Sequence, residues 1–284
     1  MNLPDYIVDA HVHFWNPQRL NYLWLASVPA LNRAFLPGDY VAATKTANVG
    51  KMIFVECGCE PSQNRDEAKW ISELAARETR IKGVVAHAAL EHGDAVRNEL
   101  TILATNSLVK GIRRNLQGEA DVNYCLQSDF VAGVRALADF DFGFDLCIVH
   151  HQLPAVIEMV RRCPEVRFVL DHCGKPAIRN QLFEPWAGQL KSMAALPNVF
   201  CKVSGLLTEA DLANWKASDL QPFVRHTIDC FGFDRALFGG DWPVLTLAGD
   251  YSGWLDSLNF CLAGTSENDL KKLFQTNAEN FYRL

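Results

Sequence analysis

Short apolar runs rich in β-branched residues recur along the chain at residues 7–10, 52–55, 84–86, 108–112, 146–149, 168–170, 199–203 and 236–238. They lack the in–out alternation of a sheet wetted on one side, which predicts parallel strands covered on both faces by helices. Helix-like stretches lie between them. Residues 64–79 open with Asn-Arg-Asp-Glu, residues 126–140 follow a polar cluster, and residues 153–163 carry a proline in the first turn. Eight strand–helix units at roughly 30-residue spacing predict a closed (β/α)8 TIM barrel. A doubly wound open sheet usually has fewer strands and a Gly-rich first turn, and no Gly-x-Gly-x-x-Gly follows the first run. With no linker, repeat or low-complexity tract, residues 1–284 read as a single domain.

The connection 14–38 is too long for an idle loop and carries Trp15, Tyr22, Trp24 and Phe35, so it is expected to fold over the barrel mouth. The composition is that of a globular chain, 49% hydrophobic and 21% charged. A net charge of −6 with no basic run excludes nucleic acid and anionic membrane surfaces as natural partners. The start lacks the charged and apolar regions of a signal peptide, and nine cysteines without a redox or zinc spacing fit reduced thiols; a cytoplasmic protein is expected.

Candidate chemistry gathers at the C-terminal ends of the predicted strands. His11 and His13, two residues apart, present both imidazoles to the same face. His172 follows the sixth run, His150 and His151 the fifth, and Asp241 the eighth. Arg113, after the fourth run, points to the mouth by its parity, either to hold substrate or to pair with Glu56. Lys202 on the seventh run carries the same choice. Trp15, Trp24 and Trp242 offer flat faces suited to a sugar ring. His87, His92 and His226 read as surface or packing residues.

These motifs carry a resemblance. Asp9-Ala10-His11-Val12-His13-Phe14-Trp15, Gly111-Ile112-Arg113 with Leu116-Gln117, Gln152-Leu153-Pro154, Asp171-His172-Cys173-Gly174-Lys175-Pro176, Lys202-Val203-Ser204-Gly205, Phe238-Gly239-Gly240-Asp241-Trp242-Pro243 and Asn277-Ala278-Glu279-Asn280-Phe281-Tyr282 resemble the amidohydrolase superfamily, in its sugar-lactonase branch. The resemblance implies hydrolysis of a small-molecule lactone, with Asp241 as general base. It implies that His11, His13 and His172 bind a metal or polarise the carbonyl directly. The superfamily's mononuclear arrangement also uses a fifth-strand His, for which this chain offers His150 or His151; that favours one divalent cation, zinc above others, held by His11, His13, His150, His172 and Asp241. No organic cofactor is implied.

The expected substrates are aldonolactones such as L-fucono-, L-rhamnono- or L-galactono-lactone. Rival readings are a lactonase for dicarboxylate or sulfonated muconolactones or pyrones, which needs further cations around the pocket, a related barrel decarboxylase, and a barrel that binds sugars without turning them over.

Overall fold

The computed structural model describes residues 3–284 and forms the barrel that the pattern predicts. Its strands are β1 (Ile7–Val12), β2 (Val49–Val55), β3 (Ile81–Ala86), β4 (Val109–Ile112), β5 (Gly143–Leu146), β6 (Phe168–Leu170), β7 (Val199–Val203) and β8 (Ala236–Phe238). They pair in sequence order, all parallel, with helical segments in the connections. Beyond the ladders, the ring is joined between its first and last strands where Val12 bridges Trp242. There Asp241 N donates to His11 O and His13 N donates to Trp242 O, both at 2.8 Å.

Two apolar layers hold the fold. The larger lies between strands and helices, with Phe14, Phe54, Phe144, Phe168 and Phe238 among its members. The smaller contains Val8, Ala10, Ile53, Val55, Val85, Val169 and Leu237 and is packed against Phe281 and Tyr282 of the terminal helix Asn277–Tyr282. This is the filled interior that a barrel of this size requires.

One irregularity positions the site. Between Asp9 and Val12 strand β1 advances three residues while β2 advances two, from Met52 to Phe54. A bulge of this kind breaks the alternation and re-aims a side chain. Asp9 therefore meets Tyr40 and Tyr251 in the helical layer, accepting their hydroxyls at 2.8 and 2.9 Å, while His11 joins the central cluster. Asp9 also accepts Gly240 N at 2.8 Å; a Cβ at Gly240 would lie 2.5 Å from its carboxylate, so only glycine allows the two strands this approach. Burial raises the Asp9 carboxyl to about 6 against the pull of these three donors and of His11 N.

Candidate active site

Three imidazoles surround one carboxylate. Asp241 Oδ1 lies 3.5 Å from His13 Nε2, 3.7 Å from His11 Nε2 and 3.9 Å from His172 Nε2, and the two β1 imidazoles approach to 3.1 Å at Nε2. Each ring is held from behind: His13 Nδ1 by Val55 O at 2.8 Å, and His172 Nδ1 by Ser204 Oγ at 2.8 Å. The backbone that delivers these groups is unusual. His172, Cys173 and Lys175 have φ of 54°, 53° and 49°, and Asp241 has φ of 54°, a left-handed conformation that side-chain-bearing residues adopt at a cost. Gly205, at φ 64°, leaves room for His172, whose Nδ1 would sit 2.4 Å from a Cβ there.

Beneath His11 runs a buried column of charge. Lys202 Nζ lies 2.5 Å from Asp145, 3.0 Å from Asp171 Oδ1 and 3.2 Å from His11 Nδ1, and Tyr282 closes the column by donating to Asp145 at 2.8 Å. Lys202, Asp145, Asp171 and His11 are all fully buried. Their mutual pairing is what makes such burial tolerable. Burial opposes the charge on Lys202, but Asp145 and Asp171 prevail and raise its pKa. Burial drives His11 well below the usual imidazole value despite Asp171, and drives His172 down to about 4 despite Asp241. Burial pushes the Asp241 carboxyl up, but His172, His13 and His11 outweigh it and hold it below the ordinary carboxylate range. At neutral pH this leaves His11 and His172 neutral beside an ionised Asp241.

Above the cluster opens a cavity of about 290 Å3 lined by His13, Trp15, Trp24, Arg113, Lys175 and Asp241, among others. Arg113 is clamped by Glu56, with Nε 2.7 Å from Oε1 and Nη2 donating to the Glu56 carbonyl, so Nη1 remains near His11 and Asp171. Lys175 Nζ donates to Gln117 at 2.6 Å and lies 3.8 Å from Glu209. Trp15 and Trp24 meet edge to face with centroids 5.3 Å apart, and Trp24 Nε1 donates to Cys57 O.

The structure thus brings together His11, His13, His172, Asp241, Arg113, Trp15 and Trp24. It corrects other expectations. Strand β5 ends at Leu146, three residues before the end of the apolar run, so the fifth-strand groups facing the centre are Asp145 and Cys147. His150 turns outward in a helical turn onto Lys175 O at 3.1 Å, and His151 is exposed; neither joins the imidazole–carboxylate cluster. Lys202 is sealed beneath His11, fully buried and away from the residues that line the cavity. Glu56 lies behind Arg113, so that the ion pair and the mouth-facing guanidinium are one arrangement rather than alternatives. Trp242 is a packing residue, wedged among Phe14, Phe35 and Tyr40. His226 caps Ala187 O, as a packing role requires, whereas His87 is held by Asn64 at 2.7 Å. Sequence reading missed Lys175, Gln117, Cys147, Asp145 and Asp171 as parts of the centre. Asp171, Lys175 and Gln117 stood within recognised motifs, but Asp145 gave only the signal of an acidic residue beside an apolar run.

The donor set fits a divalent cation. In a tetrahedral zinc site with Zn–N near 2.0–2.1 Å, neighbouring ligand atoms stand about 3.3 Å apart. His11, His172 and Asp241 present ligand atoms that all lie within 4.8 Å of one another, and His13 Nε2 stands 3.1 Å from His11 Nε2 and 3.5 Å from Asp241 Oδ1 beside them. Imidazoles with one carboxylate also have the right chemistry.

A parallel barrel with imidazoles and a carboxylate at the C-terminal ends of its strands is the architecture of a barrel enzyme. An amidohydrolase family model matches residues 8–284, and the chain belongs to that family. It is 32% identical over 286 residues to an L-fucono-1,5-lactonase of Burkholderia ambifaria, covering 98% of this chain and 95% of that protein. It is 35% identical over 255 residues to an L-fucono-1,5-lactonase of Burkholderia multivorans, covering 86% and 84%. A crystal structure of a Burkholderia multivorans amidohydrolase with bound zinc superposes with a TM-score of 0.87 at 32% identity, covering 98% of this chain and 99% of that one.

Proposed function

We propose that this protein hydrolyses a sugar lactone of the L-fucono-1,5-lactone type to the open-chain acid, in the oxidative breakdown of sugars. The observation that carries the proposal is Asp241, an ionised carboxylate ringed by three imidazoles at the floor of a cavity walled by two tryptophans. Ring opening needs a water nucleophile, an acceptor for its proton, and positive charge where the carbonyl oxygen becomes an oxyanion. Asp241 is the acceptor. Arg113, fixed by Glu56, turns Nη1 toward the same centre and supplies charge without reorganising. His11, His13, His172 and Asp241 would hold a cation, which when bound acidifies water and stabilises negative charge on oxygen.

The faces of Trp15 and Trp24 suit the apolar side of a deoxy sugar, and Lys175 and Gln117 suit its hydroxyls. Charge balance favours an uncharged ring over a dicarboxylate. Each cation on the wall already has a carboxylate, Glu56 for Arg113 and Glu209 for Lys175, and Asp241 would repel an anion. Among the described residues no helix is long and apolar enough to cross a membrane, and all nine thiols are unpaired. The thiols support a reducing, cytoplasmic setting.

The test is the initial rate of acid release across freshly prepared five- and six-membered sugar lactones and dicarboxylate pyrones. The expected order puts neutral L-sugar lactones first; faster turnover of a dicarboxylate would reverse the reading. Chelation followed by zinc addition, with elemental analysis, checks the cation: activity should fall and return. Full activity in protein with no metal detected would discard that part.

A further inference from the structure

We propose that Glu209 sets the charge class of the substrate. By compensating Lys175 it bars rings that carry a carboxylate, and removing its charge opens the cavity to them. The inference rests on the lactonase reading above and names the residue that limits it.

A carboxylated ring needs a cation on the cavity wall whose charge is available to it. The arginine and lysine side chains that line the cavity are Arg113 and Lys175. Arg113 is compensated twice: Glu56 Oε1 lies 2.7 Å from Nε and Asp171 Oδ2 lies 3.6 Å from Nη1, around a buried guanidinium. Lys175 is compensated once. Its Nζ donates to the uncharged Gln117 side chain at 2.6 Å, and among the described residues Glu209 Oε1, at 3.8 Å, is the carboxylate paired with it. At that distance charge is cancelled without a hydrogen bond to hold the ammonium. The lysine stem is still free to turn toward a ligand, but it has little net charge to offer.

The chain brings Glu209 to the mouth by a short route. Gly205, at φ 64°, turns the end of β7 into the helix Leu206–Glu209, whose last residue is Glu209. The Glu209 and Lys175 side chains are 24% and 19% exposed, so water and salt screen their charges only in part. The field of Glu209 also reaches the reacting centre: burial raises its carboxyl, Lys175 lowers it, Asp241 raises it and His150 lowers it. An anionic substituent beside Lys175 therefore meets two carboxylates, Glu209 and Asp241, around one ammonium. A hydroxymethyl group in the same place meets hydrogen-bond partners and no repulsion. Glutamine at 209 keeps the shape and deletes the charge, which leaves Lys175 free to pair with the incoming carboxylate. For a half-screened charge the gain is about tenfold, between that of an exposed pair and that of a buried one.

The probes are an aldonolactone and the aldarolactone of the same configuration and ring size, which carries a carboxylate where the first has a hydroxymethyl group. Initial acid release gives kcat/KM for both with the parent, Glu209→Gln, Lys175→Met and the double variant. The quantity read is the ratio between the two substrates, so a loss common to both drops out. The parent should favour the neutral ring, and Glu209→Gln should narrow that preference about tenfold. In the Lys175→Met background the same change should narrow it less than about threefold, because the freed ammonium is missing. Raising salt from about 0.05 to about 0.5 M should narrow the parent's preference as well. A ratio unmoved by Glu209→Gln or by salt overturns the proposal, and so does a gain that persists in full without Lys175. If the parent hydrolyses neither ring, the functional reading fails, and the same ratios are then taken from dissociation constants read by quenching of tryptophan fluorescence; a cavity that binds neither ring ends both readings. A neutral-lactone hydrolase whose preference ignores Glu209 keeps its function and loses this inference.

Discussion

Replacing Gly205 by alanine should damage turnover more than stability. The residue sits at φ 64°, and an added Cβ would lie 2.4 Å from His172 Nδ1 and 2.6 Å from its Cγ. In a close-packed interior the ring must retreat by about 1 Å to restore ordinary contact. It cannot do so in place, because Nδ1 is bonded to Ser204 Oγ on the residue that precedes Gly205. An alanine in the left-handed region costs about 1–2 kcal/mol. Crowding adds roughly 1–3 kcal/mol. For a chain of this size a loss of about 3 kcal/mol lowers Tm by roughly 6–12 °C, leaving a folded protein at 25 °C. A misplacement of about 1 Å in a catalytic group costs on the order of 100-fold in rate. Calorimetry gives Tm, and initial acid release at a saturating concentration of the best-turned-over lactone gives kcat. A folded variant with kcat within twofold of the parent would refute the claim that Gly205 sets the position of His172.

Asp241→Asn should fold normally yet lose about 100- to 10,000-fold in kcat, as expected for removal of a general base; turnover at the parental rate would remove that assignment. Trp24→Ala should raise KM about tenfold with kcat nearly unchanged, because it removes a ring face and no reacting group; a kcat loss larger than the KM effect would argue against it. Glu67 offers a pH test away from the centre. Burial, with Glu56 nearby, raises its carboxyl to about 8 against Tyr22, Cys57 N and Arg113. The folded state thus keeps a proton that the unfolded state releases near pH 4.5, and its contribution is lost as pH rises from there to about 8. Between pH 5 and pH 9, Glu67→Gln should therefore gain on the order of 4 kcal/mol relative to the parent in urea unfolding; a pH-independent difference would contradict it.

Much of the barrel was legible because strands buried on both faces must be apolar and short. Strands β6, β7 and β8 coincide with their runs. Strand β5 did not, since its inward Asp145 breaks the apolar pattern while Cys147, Ile148 and Val149 continue it past the last ladder residue. That shift of three residues is why two adjacent histidines looked like centre groups. The spacing of His11 and His13 predicted a shared face, which they have, but no pattern marks the bulge that turns Asp9 to the helices. Lys202 illustrates the deeper limit: whether a strand lysine reaches substrate or is sealed in a charge column depends on Asp145 and Asp171, which lie 57 and 31 positions away. Pairwise burial of this kind leaves no local trace.

The seam where β1 meets β8 has one more implication. His11 and His13 stand on one lip of it and Asp241 on the other, and backbone bonds from Asp241 N to His11 O and from His13 N to Trp242 O stitch the lips together. Turnover is thus a gauge of ring closure: a molecule whose first and last staves have parted by an ångström would keep its helices and its spectrum while its chemistry had already stopped.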